Sequence, residues 1–115
     1  MNNRDDHAKN LSFVMQADGG WQLAPPYDLT YCPGYQGEHF MEVAGEGRAP
    51  ARQHMLQAAQ AAGLPRAVAE RTIDELLVLL TPTTLLDLAD GLALRKATVT
   101  QVLQAMQGNF ALLAG

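Results

Sequence analysis

Prolines and aromatic residues nearly run out at position 50, and that break limits the folds open to this chain. Four of the six prolines, six of the seven aromatics and six of the ten glycines lie in residues 1–50. Residues 51–115 are instead rich in Ala and Leu. Proline breaks helix interiors and glycine weakens them, so the first zone is predicted to hold strands and ordered loops, and the second helices. The expected fold is α+β, mainly α: a short β-hairpin and a long ordered loop, then a helical lobe of about four helices. At 115 residues the chain suits one domain, read as 1–115, with a hairpin-and-loop part over 1–50 and a helical part over 51–115.

The helical part carries its own punctuation. A first helix is predicted from about Ala51 to Ala62, stopped by Gly63, and Pro65 suits the first turn of a second. Ala69, Ile73, Leu76, Leu77 and Leu80 then fall on one helical face. Thr81-Pro82 reads as an N-cap followed by an N1 proline, opening a short helix that Gly91 ends. Val99, Val102, Leu103, Met106, Phe110 and Leu113 stripe a last helix. Such stripes are core rather than chemistry.

In the first zone, Leu11–Met15 reads as a buried strand. Asp18-Gly19-Gly20 supplies the positive φ angles of a tight hairpin, and Trp21-Gln22-Leu23 is the returning strand. Pro25 and Pro26 stop it, because proline removes ladder donors. From Thr30 to Pro50 a long ordered loop is expected, with a short extended piece at His39–Val43.

Charge narrows the function. The net charge is −4 with only eight Lys and Arg, whereas nucleic-acid binding rests on cationic side chains neutralising phosphates. Direct nucleic-acid binding is therefore not expected. No stretch is long and apolar enough to span a bilayer, and the polar, acidic start is unlike a signal peptide. Cys32 is the lone cysteine, so no disulfide framework forms, and the expected compartment is a reducing cytoplasm.

The densest polar cluster, Arg4-Asp5-Asp6-His7-Ala8-Lys9-Asn10, runs directly into the first strand. An antiparallel hairpin returns the chain beside its start, so Asp5, Asn10 and the later Asp28 are predicted to approach one point. Carboxylate and amide oxygens are the ligands Mg2+ prefers, with phosphate oxygens completing the shell. Protein kinases use such a set, an Asp base with an Asn and a second Asp on the metal. Asp and Asn near a strand start also make local side-chain-to-backbone bonds, and spacing alone leaves both readings open. His7, His39 and His54 lie in unrelated contexts, which argues against a zinc set.

The segment Asn3–Phe13, followed by Trp21–Leu29, resembles the C-terminal domain of HipA-like serine/threonine kinases, the toxins of bacterial toxin–antitoxin pairs. The shared pattern is a D-x-H-x-K-N segment, a hairpin ending in a W-x-L-x-P strand, and a Tyr-Asp pair. The resemblance implies a kinase C-lobe-like fold, ATP and Mg2+ as cofactors, and Asp5 as catalytic base. It also implies Asn10 and Asp28 as metal ligands, with His7 and Lys9 at motif positions that are structural or face the nucleotide phosphates.

The sequence also departs from that family. Met1 stands where the family tends to have Gly before its Asn. Gly19-Gly20 and Gly45-Glu46-Gly47 lack the lysine and helix context of a phosphate-cradling loop. The chain is accordingly expected to be a truncated or split kinase, or an expressed piece of one, that binds Mg2+ weakly and is inactive alone. Expected partners are an N-terminal kinase lobe or an antitoxin protein. Self-association through the apolar surface a missing lobe would leave bare is also expected.

Overall fold

A computed structural model describes residues 2–115. Two strands, β1 (Phe13–Met15) and β2 (Trp21–Leu23), form an antiparallel hairpin with Phe13 opposite Leu23, Val14 opposite Gln22 and Met15 opposite Trp21. Four helices follow: α1 (Arg52–Ala61), α2 (Arg66–Leu79), α3 (Pro82–Ala89) and α4 (Lys96–Ala114). The fold is α+β and mainly α, as the break at position 50 predicts. None of the helices is long and apolar enough to cross a membrane.

The hairpin connection is tight, as its sequence suggests. Gln16 N–H donates to the Gly20 carbonyl at 2.7 Å and Gly19 N–H to the Gln16 carbonyl at 2.9 Å, leaving a three-residue loop. Only Gly19 takes a positive φ, of 85°, the left-handed third position that such loops require. Asp18 Oδ1 accepts from Gly20 N–H at 2.9 Å and fixes the bend.

Helix ends follow local chemistry. Thr81 Oγ1 accepts from Thr84 N–H at 3.1 Å, and Pro82 occupies the first turn of α3. Pro65 is the residue before α2, one position earlier than expected, with extended backbone (φ −60°, ψ 134°). At α1, His54 Nδ1 accepts the Ala51 N–H at 2.9 Å, doing at the third position what a capping-box glutamate does. Arg52 ties three helices together, donating to Asp74 Oδ1 at 2.8 Å and to the Leu113 carbonyl at 3.3 Å.

The core is thin. Ala69, Ile73 and Met106 are the buried apolar residues among those described, and they sit where α1, α2 and α4 meet. Leu76 and Leu80, on the expected stripe of α2, remain 48% and 45% exposed.

Two expectations fail. Leu11–Met15 is not a buried strand: Phe13 is 67% and Met15 61% exposed, because the two strands pair edge to edge and no second layer among the described residues covers them. His39–Val43 forms no strand. Val43 pairs only with Glu46 across a tight bend; the Met41 amide goes to the Asp6 side chain, and the Phe40 amide is shared between that side chain and the Arg4 carbonyl.

Candidate active site

Residues Asp5–Asn10 approach the hairpin as extended chain and then make a single 3-10 turn over Ala8–Asn10. Leu11 returns to extended backbone (φ −113°, ψ 134°) and ends the turn. Asn10 N–H donates to the His7 carbonyl at 2.9 Å, and Asn10 Nδ2 to the Asp5 carbonyl at 3.4 Å. The Asn10 side chain therefore folds back against the Asp5 peptide, and its Oδ1 is left for another partner.

Asp5 itself is exposed, with Oδ1 2.5 Å from His7 Nε2. The His7 ring is 22% exposed and lies 3.7 Å, centroid to centroid, from the Phe40 ring at 51°. A ring packed in this way resists reorientation, so His7 fixes the rotamer of Asp5. Lys9 is exposed and contributes its backbone instead: its carbonyl accepts from Tyr27 Oη at 2.9 Å.

Tyr27 lies beyond β2 and Lys9 before β1, so their contact links the two ends of the hairpin. Asp28 sits in left-handed backbone, with φ 55°. Aspartate tolerates this region better than most residues, yet the conformation still costs on the order of 1–3 kcal/mol and concentrates at functional sites. Among the described residues no side chain or amide hydrogen-bonds the Asp28 carboxylate.

This donor set fits a divalent cation in kind. Asp28 and the Asn10 Oδ1 are uncommitted oxygen donors of the type Mg2+ takes. No three His, Cys, Asp or Glu side chains gather into a metal-holding group among the described residues. A cation here would accordingly depend on Asn10 and on oxygens brought by a ligand.

Behind these residues lies a clamp that the sequence did not announce. Asp6 Oδ1 accepts from Phe40 N–H at 2.9 Å and Met41 N–H at 3.2 Å, while Oδ2 lies 3.1 Å from His39 Nδ1. Partial burial pushes the Asp6 carboxyl up, but the Met41 amide and the His39 hydrogen bond and charge outweigh it. The net effect is a carboxyl below its ordinary value of 3.8. Arg4 grips the same loop from the other side, donating to the Gly37 carbonyl and, at 3.1 Å, to the Arg48 carbonyl. Gly34 has φ 74°, and a Cβ there would meet Arg4 Cβ at 2.9 Å and run into the Glu38 carbonyl.

Neighbouring residues of one cluster thus face different tasks. Asp5 looks outward, whereas Arg4 and Asp6 hold residues 34–48 in place. Their partners are more than 30 positions away, which is why periodicity and spacing missed them. The legible trace was the density of polar groups beside a Gly-rich loop. The clamp also shapes a cleft of about 280 Å3 beside Asp5, with Tyr35 and Phe40 on its rim. His39 joins this site to the helices, since it also lines an apolar cavity of about 240 Å3 with Met55, Leu77 and Phe110.

Against curated proteins and against solved structures the chain has no significant match. A family model, described as the HipA-like C-terminal domain, matches residues 1–82, a span that covers the polar cluster, the hairpin, the clamped loop, α1 and α2. The chain belongs to the HipA-like C-terminal domain family.

Proposed function

We propose that this chain carries the proton-accepting and metal-holding segment of a HipA-like serine/threonine protein kinase of a toxin–antitoxin pair. Asp5 is the base. Its Oδ1 is held by His7, so Oδ2 is the oxygen that would take the proton of a Ser or Thr hydroxyl lying in the adjoining cleft. The acceptor oxygen would then bond to the γ-phosphorus of ATP, and ADP would leave with the electrons of the broken P–O bond. Asn10 and Asp28 would hold Mg2+, which when bound neutralises charge on the transferring phosphoryl group. Lys9 is free to meet nucleotide phosphates, and His7 acts by positioning Asp5.

The observation that best supports this reading is the Tyr27–Lys9 bond. It draws together the two ends of the hairpin from which Asn10 and Asp28 project. In the same reading the 115 residues do not phosphorylate on their own, because none of their glycine-rich stretches has the lysine and helix of a phosphate loop. Incubating the purified chain with Mg-ATP and a generic protein acceptor is expected to transfer no phosphate above background. Transfer abolished by Asp5→Asn would contradict the predicted inactivity while upholding the role of Asp5.

A second reading is a non-catalytic module that binds an antitoxin or another kinase chain. The bare apolar face of the hairpin favours it. Antitoxin or kinase binding that persists in Asp5→Asn and Asp28→Asn variants, without any nucleotide response, would select this reading.

A further inference from the structure

We propose that Asn2 and Asn109 are positioning residues for the cleft beside Asp5, through which helix α4 sets the placement of the cleft's walls. Among the described residues one hydrogen bond joins residues 2–50 to the helices: Asn109 Nδ2, on α4, donates to Asn2 Oδ1 at 3.2 Å. Asn2 is only 5% exposed, a buried polar residue beside a core of three apolar side chains. Its carboxamide has three partners. Oδ1 also accepts from Arg4 Nε at 3.3 Å, and Nδ2 donates to the Cys32 carbonyl at 3.3 Å. Both lone pairs of the oxygen are thereby taken, and one of the two N–H donors.

Two of those three bonds end on residues that line the cleft, Arg4 and Cys32. Arg4 N–H donates to the Cys32 carbonyl at 3.2 Å, and the Arg4 carbonyl accepts from Phe40 N–H at 2.9 Å. The two stretches that wall the cleft, Cys32–Gly34 and Glu38–Phe40, are thus both tied to Arg4. Its guanidinium spans the same loop, bonded to the Gly37 and Arg48 carbonyls. The donors of a guanidinium lie in one rigid plane, so the Asn2 bond at Nε sets the direction in which the other two reach.

Filling a core does not call for this arrangement. A leucine in place of either asparagine would bury apolar surface without needing hydrogen-bond partners. Asn109 also lies inside α4, where asparagine is a weaker helix former than leucine. What the paired carboxamides add is direction, because a hydrogen bond holds its donor and acceptor within a narrow range of distance and angle. That the cleft takes an acceptor hydroxyl rests on the kinase reading; the placement of its walls by α4 does not.

Cys32 is the single cysteine and lines the cleft, so its alkylation by iodoacetamide reports on the wall. Asn109→Leu and Asn109→Ala each remove the donor from a residue of higher helix propensity, and failure of one to fold leaves the other as the test. Each is expected to raise the Cys32 alkylation rate severalfold and to speed exchange of the Arg4 Nε–H resonance with water, with helical circular dichroism unchanged. Asn109→Gln keeps a donor and should return both readouts toward wild type. Thr81→Ala, which weakens α3 away from this path, should change neither. Wild-type readouts in the folded variants that lack the donor overturn the proposal. An equal rise in Thr81→Ala overturns it too, because global opening is then the cause. Neither readout needs metal or nucleotide, so this coupling and the kinase reading fail separately.

Discussion

Asp6 shows how one carboxylate can organise a loop while its neighbour faces solvent. Two backbone amides and His39 converge on it, and hydrogen bonds to a charged group are worth about 1.5–3 kcal/mol each. Asp6→Ala is expected to destabilise the fold by roughly 2–3 kcal/mol in urea unfolding, since the Phe40 and Met41 amides lose a charged acceptor. Asp6→Asn keeps one acceptor oxygen and should cost less. The sign of the pH dependence follows from the lowered carboxyl. The folded state binds the proton more weakly, so the stabilisation is present above the ordinary 3.8 and is lost as pH falls through the lower folded value. In an acid titration the Phe40 and Met41 amide resonances should therefore move below the range in which ordinary aspartates titrate. Movement at or above that range would contradict the clamp.

At the scale of elements, what the sequence made legible was whatever is set within a few residues. The Thr81-Pro82 cap, the Gly19 turn and β2 are all local, and all lie where their residues predict. Removing the cap with Thr81→Ala should cost about 1 kcal/mol and shorten α3, checked by thermal unfolding and amide exchange of Thr84. No change in either would mean that packing on α4 alone holds α3. Burial was not legible in the same way. Apolar alternation marks Phe13, Met15, Trp21 and Leu23 as one face, but nothing in a single sequence says whether a second layer exists to cover it. The extended piece expected at His39–Val43 failed for the opposite reason: its first amides are dispersed over distant partners, Met41 to Asp6, Phe40 to Asp6 and the Arg4 carbonyl, and His39 to the Gly47 carbonyl, so no one strand can pair with it. The same blindness hid Arg4, whose carbonyl partners lie in a loop with no periodicity.

For the whole molecule, the picture is of a polar segment and a β-hairpin beside a helical part with a thin core, with one apolar sheet face left open. Asp5, Asn10 and Asp28 were proposed from sequence as one oxygen-bearing set. The Tyr27–Lys9 bond ties together the two ends of the hairpin that separates Asn10 from Asp28. The central claim is that Asn10 and Asp28 hold a divalent cation beside the Asp5 base, with nucleotide phosphates completing its shell. Paramagnetic broadening tests it most directly, because sparse Mn2+ in the presence of ATP bleaches nearby amides even when binding is weak. The account predicts selective loss of the Asp5, Asn10 and Asp28 amide signals, reversed by excess Mg2+ and absent in Asp28→Asn. Broadening centred instead on Glu42 and Glu46, or spread evenly over the acidic surface, would contradict it.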